Sequence, residues 1–545
     1  MCNLPCVSCC VIFFIIQNFA FAKQDGESIY IQGVGRIRGF TTTSPNGVLI
    51  SNFLGIPYGK PPKRFSPITD PTGDMVDFDA SNQHPCFQTP SEFVPSDNMT
   101  EDCVTLSVYK PRTTDGFLPV LVKIHGGSFK RWTASVFNGD RLIDNHPMVV
   151  VSVNYRIGIL GFLTLDFDEA PGNLGLLDQL TALEWIKSYI HHFRGDPNNI
   201  TLYGESAGSA SVAYLADSSL TKDRGLFHRV IQSSGDNCAG WTINLRALEQ
   251  SKAFAINVGC DYETNLDIVN CLRGLTIETI LAGYNDSSFY TAPSIQNNPL
   301  VNDAYRIVPK HPLDNDPEQT RSRVPLLIGG NRNDGTFLLS RYVEAVLKPN
   351  NHHLNVTYLR NIFLQTLLNS SHFGINDTPI GMVESIIASF LKEHRMGVNL
   401  TVMGQAVSDI YSTFYFKAPA LHKAKSHALL GLKTYLYSYE YESSTHVFYE
   451  DLGGIPEILP GVTHADELNY IFKFKDLSEE EKLFSERLIN TIYRFMVHGD
   501  PGAPDDKEDL NQGPWTPVTN ETFGYTIINF TMRAGSHYGQ TFHTV

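Results

Sequence analysis

The sequence ITLYGESAGSASVAYL, from Ile200 to Leu215, carries the strongest indication of the fold. An apolar stretch typical of a β-strand reaches GESAG, residues Gly204 to Gly208, and continues into small residues compatible with a helix. This is the G-x-S-x-G pattern in a strand, turn and helix context, where strained backbone lifts a serine above the sheet edge. N–H groups at the start of the helix, including that of Ala207, are placed to stabilise an oxyanion. The stretch predicts a nucleophile, Ser206, in an α/β protein.

A second glycine motif lies upstream of this turn. The apolar run that begins at Val120 ends in His125-Gly126-Gly127 and continues with Ser128. Loops of this type supply further backbone N–H donors to the oxyanion formed when a serine attacks a carbonyl. In isolation the pair of glycines would be an ordinary turn. Its position before a serine turn, in the chain order that such sites use, favours the catalytic interpretation.

The acid and the base of a triad are expected farther along the chain. A buried-strand pattern ends at Gly330, and Asp334 follows just beyond it, where α/β sheets present ligand-facing groups. His464 lies in a glycine-containing loop ahead of a helical stretch. Asp334 would orient His464, and His464 would activate Ser206 as general base. A simple polar turn stays open for Asp334, because Asp-Gly is a common turn pair.

With these motifs in place, the chain resembles the type-B carboxylesterase family, which includes cholinesterases and insect juvenile hormone esterases. The resemblance covers roughly residues 28 to 530. Its further motifs, all in one order, are FLGIPY (Phe53 to Tyr58), EDC (Glu101 to Cys103), NYRIGILGF (Asn154 to Phe162), GNLGLLDQ (Gly172 to Gln179) and GVTH (Gly461 to His464). The resemblance implies the α/β-hydrolase fold: a large, mostly parallel, twisted central sheet flanked by helices, with helical insertions around the active-site gorge.

The resemblance also implies the roles of the site residues. By it, Ser206 is the nucleophile, His464 the base and Asp334 the acid. The oxyanion amides that it implies belong to Gly127, Ser128 and Ala207. It implies no cofactor, and no metal site is expected, because the sequence has no Cys or His cluster at zinc spacing.

Three features depart from the usual family pattern. The acid is usually glutamate, so the carboxylate of Asp334 stands one methylene closer to its backbone. The third glycine of the oxyanion loop is replaced by Ser128, whose side chain could narrow the acyl pocket or strain the loop. The segment between Pro62 and Arg64 is shorter than usual. None of the three removes a catalytic group, and each could reduce the rate.

Composition and the first residues describe an exported globular protein. The chain has 545 residues, 42% of them hydrophobic and 18% charged, so it can bury a large core. Val11–Ile16 is an apolar run too short to span a bilayer, and Ala20-Phe21-Ala22 supplies a cleavage pattern. The sequence predicts a signal peptide over residues 1–22, a single domain over residues 23–545 and a secreted, extracellular location, with no membrane span. Tyr342–Lys423 is expected to form a helical insertion over the active site.

Five of the nine cysteines lie after the expected signal peptide. Pairing of neighbours, Cys86 with Cys103 and Cys260 with Cys271, matches the pattern of the family. Each bond would stabilise the fold by about 2–4 kcal/mol. Cys238 is left over. A buried free thiol is favoured over a bridge between subunits, because cholinesterases carry a similar unpaired cysteine in the corresponding stretch.

Glycosylation sequons are frequent in this chain. Asn199 directly precedes the expected nucleophile strand, and we expect its sequon to be unused. The candidates for glycosylation are Asn98, Asn285, Asn355, Asn369, Asn376, Asn399, Asn520 and Asn529. Those between Asn355 and Asn399 fall in the expected insertion, which fits an exposed segment.

Charge and local sequence narrow the class of partner. The net charge of −15 argues against nucleic acid and anionic membranes, and leaves a small-molecule ester as the expected partner. No tryptophan lies between Cys86 and Cys103, where cholinesterases place one to stack on choline, so acetylcholine is disfavoured. Trp241 has two open interpretations, a wall of the acyl pocket or ordinary core packing. The oligomeric state stays open.

Three function classes follow from these residues. The first is a secreted serine carboxylesterase that forms an acyl-enzyme on neutral, fairly apolar esters. The second is a catalytically silent adhesion or binding module of the neuroligin kind, which retention of Ser206 and His464 disfavours. The third is a specialised hormone-type esterase, against which Glu205 stands, because juvenile hormone esterases usually carry glutamine there. The sequence favours the first.

Overall fold

The computed structural model describes residues 26–60, 63–68, 77–91, 94–95, 98–284, 289–350, 355–363, 390, 400–443, 446–447, 461–503, 515–519, 524–529 and 533–535. The expected signal peptide lies outside the described residues. The strands are β1 (Ser28–Ile31), β2 (Gly35–Arg38), β3 (Phe40–Thr43), β4 (Leu49–Pro57), β5 (Asp77–Asp79), β6 (Thr105–Pro111), β7 (Leu118–Ile124), β8 (Val149–Val153), β9 (Gly195–Glu205), β10 (Arg229–Ser233), β11 (Leu326–Asn331), β12 (Thr434–Tyr439), β13 (Tyr525–Ile528) and β14 (Arg533–Gly535).

Over the residues that the structure describes, the main sheet has eleven strands in the order β14-β13-β12-β11-β10-β9-β7-β8-β6-β4-β3. The strands from β13 to β8 in this order pair in parallel. Antiparallel pairs occur at the edges, through β14 on one side and β6, β4 and β3 on the other. A small second sheet joins β1, β2 and β5. The prediction of a large, mostly parallel sheet is confirmed.

The helices lie between and around these strands. They are α1 (Asp140–Asn145), α2 (Gly158–Phe162), α3 (Leu174–Tyr189), α4 (Ala207–Ala216), α5 (Ala247–Asn257), α6 (Asn265–Gly274), α7 (Ile277–Gly283), α8 (Pro317–Thr320), α9 (Thr336–Tyr342), α10 (Val356–Tyr358), α11 (Leu400–Tyr411), α12 (Ala418–Leu429), α13 (Leu468–Ile471) and α14 (Glu479–His498). Within the described ranges, no helix has both the length and the apolar character needed to cross a membrane.

Helices cover both faces of the parallel strands, because those strands are apolar on both sides. The residues of β8, VVVSV, are all buried, as expected for a strand between two helical layers. One face packs against α3, α4 and α12, around Trp185 and Leu215. The other packs against α1 and α14, around Leu142 and Phe495. The result is an α/β-hydrolase architecture with two cores separated by the sheet.

Helical turns dominate the described part of the expected insertion. Besides α10 and α11, it contains the wide π-helical turns Val343–Leu347, Leu359–Phe363 and Ser412–Lys417. Leu339, Met403 and other apolar side chains from α9 and α11 form a third cluster. Residues 351–354, 364–389 and 391–399 of this insertion lie outside the described residues.

The cysteine pairing is the one expected. Cys86 bonds to Cys103 and Cys260 bonds to Cys271, so both disulfide predictions are confirmed. Cys238 is unpaired and half-buried.

Few of the glycosylation candidates fall on described residues. Asn98 and Asn355 are exposed, and Asn529 is half-buried. The candidates Asn285, Asn369, Asn376, Asn399 and Asn520 lie outside the described residues.

The strand order defines where a ligand site belongs. Strand β8, which follows β7 in the chain, lies on one side of β7 in the sheet. Strand β9 lies on the other side of β7, and the next strand, β10, lies beyond β9. The connections therefore diverge at the carboxyl ends of β7 and β9. In open α/β sheets the crevice at such a switch point is the site that binds ligands. Both glycine motifs of the sequence lie there.

Candidate active site

Ser206 occupies a strained turn between β9 and α4. Its backbone has φ 59° and ψ −126°, a region that non-glycine residues rarely adopt. The two flanking positions must be glycine, because there is no space for a side chain at either of them. A Cβ on Gly204 would lie 2.2 Å from the Gly208 oxygen, and one on Gly208 would lie 2.3 Å from the Ile124 oxygen. The Ser206 amide donates to the Ser233 oxygen at 2.9 Å, which fixes the turn to β10.

The loop after β7 lies against this turn. A Cβ on Gly126 would come within 3.1 Å of the Ser206 Cβ. Gly127 has φ 93° and Ser128 has φ 57°, so the loop turns through left-handed backbone at two successive residues. None of the amides of Gly127, Ser128 and Ala207 donates a hydrogen bond to a described residue. The three expected oxyanion donors are therefore unused N–H groups beside Ser206.

His125 and Tyr155 hold this loop from beneath. The Tyr155 hydroxyl donates to the His125 oxygen at 2.8 Å, and the two rings stack with centroids 4.4 Å apart. Burial lowers the pKa of His125 to about 4, so the imidazole is neutral at physiological pH. His125 thus serves as a rigid neutral anchor for the loop.

Asp334 and His464 form a buried pair. His464 Nδ1 donates to Asp334 Oδ1 at 3.0 Å, and both side chains are at most 4% exposed. The other carboxylate oxygen accepts from the Asn331 amide at 2.8 Å and from the Ser234 hydroxyl at 2.9 Å. A Cβ on Gly330 would lie 2.5 Å from that oxygen. The shorter acid reaches the histidine because it packs directly against the end of β11.

The second nitrogen of His464 faces a carboxylate. Its Nε2 lies 3.1 Å from Glu205 Oε1. The Ser206 hydroxyl makes no hydrogen bond with a described residue. The imidazole is held between Phe337 and Phe416, whose ring centroids lie 4.6 Å and 4.9 Å from its own. The expected nucleophile, Ser206, thus directly follows the residue that contacts the expected base, His464, and the hydrogen bond between the two is one that a bound substrate would have to complete.

Burial and neighbouring charge determine the electrostatics of the pair. Burial alone would lower the pKa of His464, but the charge of Glu205, together with the hydrogen bond and charge of Asp334, raises it above the usual value. Burial raises the pKa of Glu205 to about 7, with His464 and Lys123 opposing and Glu467 reinforcing the shift. The imidazolium is therefore favoured in this site.

Glu467 is a third buried carboxylate, which the sequence analysis missed. It accepts from the Ser233 hydroxyl at 2.5 Å and from the Asn331 side-chain amide at 2.8 Å. The sequence offers one indication of its role, because Glu467 stands three residues after His464. Phe337 and Phe416 were missed as well, since no local motif indicates which rings will meet across the fold.

An aromatic pocket opens onto Ser206. Its volume is about 250 Å³, and its lining residues are Ser128, Phe129, Lys130, Ser206, Trp241, Phe289, Tyr290, Thr291, Phe337, Leu338, Tyr415 and Phe416. Trp241 is half-buried, donates from its indole nitrogen to the Tyr415 oxygen at 2.9 Å and packs against Phe416. Trp241 therefore both lines the pocket and packs within an aromatic cluster.

Within the described part of the chain, no three His, Cys, Asp or Glu side chains cluster as metal ligands do. The groups that gather at the switch point are a serine hydroxyl, an imidazole, three carboxylates and free backbone amides. That set suits nucleophilic attack on an acyl carbon with base assistance.

Comparison with known proteins identifies the family. The model of the carboxylesterase family matches residues 25–543. A human protein named cocaine esterase is 30% identical, over 98% of this chain and 93% of its own. An acetylcholinesterase of Leptinotarsa decemlineata is 29% identical, over 91% of this chain and 81% of its own. A mouse cholinesterase is 28% identical, over 95% of this chain and 86% of its own. The chain belongs to the carboxylesterase family of carboxylic ester hydrolases.

Proposed function

We propose that the protein is a secreted serine carboxylesterase that forms an acyl-enzyme on neutral, fairly apolar esters, with Ser206 as nucleophile, His464 as base and Asp334 as acid. The observation that carries this proposal is that the strained Ser206 lines the same pocket as Phe337 and Phe416, whose rings contact His464 of the buried Asp334–His464 pair. The three unused amides beside Ser206 support it.

The reaction follows from the positions of these groups. Ser206 Oγ attacks the ester carbonyl carbon while His464 Nε2 accepts its proton, giving a tetrahedral oxyanion and an imidazolium. The amides of the loop and of α4 donate to that oxyanion. The imidazolium returns its proton to the alkoxide, which leaves as the alcohol. Water then attacks the acyl-serine by the same route, releasing the acid and restoring the Ser206 hydroxyl.

Charge in the site suits this sequence of steps. The imidazolium forms beside Asp334 and Glu205, which stabilise it by attraction. Nε2 lies 3.1 Å from Glu205 Oε1 but forms no hydrogen bond with it, so this nitrogen is available to accept the Ser206 proton. Apolar walls then exclude water from the developing charge, which strengthens each interaction.

The pocket supports the proposed substrate class. Its walls are mainly aromatic, and Lys130 is the one charged residue among the described residues that line it. An aromatic pocket gains free energy by removing apolar substrate surface from water, at roughly 25 cal/mol per Å². Neutral esters with apolar acyl groups are the class that fits best. The two disulfides support an extracellular location.

The experiment is an ester panel of graded acyl and alcohol length, assayed on the wild type and on Ser206→Ala. We expect turnover of neutral apolar esters, with kcat reduced by about 10⁴–10⁶-fold in Ser206→Ala. Ser188→Ala, which removes an exposed serine hydroxyl from α3, is the matched control and should retain wild-type turnover. No hydrolysis of any ester, or near-wild-type turnover by Ser206→Ala, would contradict the proposal and favour a silent binding module.

A further inference from the structure

A lysine lies fully buried beneath the proposed site. Lys123 is the one charged residue of β7, whose other residues are apolar, and it is 0% exposed. Its ammonium makes no hydrogen bond with a described residue. It lies 4.1 Å from the ring centroid of Tyr203, 4.8 Å from that of Phe137 and 5.4 Å from that of Phe472. Because burying a cation without a hydrogen-bonded partner is unfavourable, an aromatic enclosure alone does not explain this lysine.

Sheet geometry places Lys123 on the same face as Glu205. Lys123 is in register with Tyr203 on the neighbouring strand β9. Glu205 follows Tyr203 by two residues, so the two side chains of β9 leave the same face of the sheet. Glu205 is in turn the residue before Ser206, and its Oε1 is the atom 3.1 Å from His464 Nε2. Lys123 and Glu205 therefore share one face of the sheet, and Glu205 in turn lies beside His464.

The charges around Glu205 come from several elements. Besides Lys123 on β7, the titratable groups that face it are Tyr203 on β9, Tyr155 after β8, Asp334 after β11, and His464 and Glu467 around the start of α13. The charges of three carboxylates therefore act on one imidazole, and among the described groups that act on Glu205 the lysine is Lys123. Lys417 faces Asp334 rather than Glu205. Burial lowers the pKa of Lys123 to about 8, with attraction to Glu205 and Glu467 opposing that shift.

We propose that Lys123 is a positioning residue of the site: its buried ammonium holds Glu205 in the anionic form, and the Glu205 anion keeps His464 basic. The inference rests on the proposed function, because it concerns the base of that reaction. Lys123 does not touch substrate, and it acts through Glu205.

The direction in which loss of the Lys123 charge shifts the pKa of His464 follows from which group lies nearest to the imidazole. Removing the charge of Lys123 makes Glu205 bind its proton more tightly, so a larger fraction of Glu205 is neutral near pH 7. His464 then loses the attraction of a carboxylate 3.1 Å away and becomes neutral at lower pH. Direct repulsion between Lys123 and His464 would act in the opposite direction, but Glu205 stands in contact with the imidazole and Lys123 does not. The acidic limb of the activity profile should therefore move to lower pH.

The test is kcat/KM against pH for Lys123→Met, a neutral side chain of similar length. We expect the acidic limb to move down by about half a pH unit or more, which is a threefold or greater change in the proton affinity that governs it. Lys123→Arg, which keeps the charge, should leave the limb near its wild-type position. In a Glu205→Gln background, Lys123→Met should produce no downward shift, because the intermediary is already neutral.

Each result has a defined meaning. Absence of Ser206-dependent hydrolysis in the wild type overturns the proposed function itself. Hydrolysis with an unmoved limb in folded Lys123→Met, or an equal downward shift in the Glu205→Gln background, overturns the role of Lys123 and leaves the proposed function intact. Thermal unfolding establishes that each variant folds, and Lys123→Gln supplies the same loss of charge if Lys123→Met does not fold.

Discussion

At the scale of single residues, the proposed chemistry requires that the short carboxylate of Asp334 reach the imidazole of His464. Asp334 contacts His464 because its side chain packs on Gly330 and because Asn331 and Ser234 bind its second oxygen. Sequence order alone was enough to nominate Ser206, Asp334 and His464. It could not show that Glu205 would face Nε2, since that contact depends on where a loop from a distant part of the chain lands.

Replacement of Asp334 by asparagine tests its role as the acid. In Asp334→Asn the side chain presents an amide where Nδ1–H requires an acceptor, so the wrong tautomer is favoured and kcat should fall by about 10³–10⁴-fold with little loss of stability. Asp334→Glu should keep part of the activity, since the close contact with Gly330 forces a longer side chain to displace its surroundings. The measurement is kcat on one good ester.

The control for this prediction is Asp303→Asn, which removes a carboxylate that is 91% exposed. It should leave kcat unchanged. If Asp334→Asn keeps more than about a tenth of wild-type turnover, Asp334 is only a turn residue and the acid lies elsewhere, because loss of that bond should raise the barrier by well over a kcal/mol.

At the scale of elements, the sequence predicts the strand, turn and helix around Ser206 because all their determinants are local. These are an apolar run, two glycines and small residues that form helices. The π-helical turns of the insertion were not, because wide turns such as Ser412–Lys417 are set by what packs against them. The end of α4 shows a further contact between distant elements. Asp217, directly after α4, binds Arg321 at 2.7 Å and Lys423 of α12 at 2.5 Å.

This buried cluster should be important for stability. Asp217, Arg321 and Lys423 are each at most 7% exposed. Asp217→Asn therefore leaves Arg321 without its carboxylate and Lys423 with Asp236 alone, whose Oδ2 lies 3.6 Å from Nζ. Breaking a buried pair in this way costs about 3–5 kcal/mol of the free energy of unfolding. Burial alone would raise the pKa of Asp217, but the two cations outweigh it and lower that pKa, so the contribution of Asp217 is complete above the unfolded pKa and is lost as pH falls through the folded one. Urea unfolding at pH 7 measures it in full.

Glu184→Gln is the matched control for Asp217→Asn. Glu184 pairs with Arg224 at the surface, where both side chains are more than a third exposed, so the loss should be about 0–1 kcal/mol. A loss below about 1 kcal/mol for Asp217→Asn would show that the cluster does not hold α4 to α12.

At the scale of the whole molecule, the strand order brings the chemistry together. Ser206 and the oxyanion loop follow adjacent strands, while Asp334 and His464 arrive from 130 residues apart in the chain. The sequence predicted the sheet and the disulfides, which are confirmed, because each has a local pattern or a family motif. It nominates the three site residues by motifs of the same kind, and their roles stay a prediction. It did not predict that three aromatic rings surround the Lys123 ammonium, or where Glu467 lies, since long-range packing determines both.

Covalent labelling with a neutral organophosphonate that carries a good leaving group tests whether the site activates the Ser206 hydroxyl. If the site activates Ser206, its Oγ attacks phosphorus, the leaving group departs and one label is bound per chain with loss of ester hydrolysis. Peptide mass mapping should then place the label on Ser206, and Ser206→Ala should take up none. A label on another residue, or no labelling of the folded wild-type protein, would contradict the account.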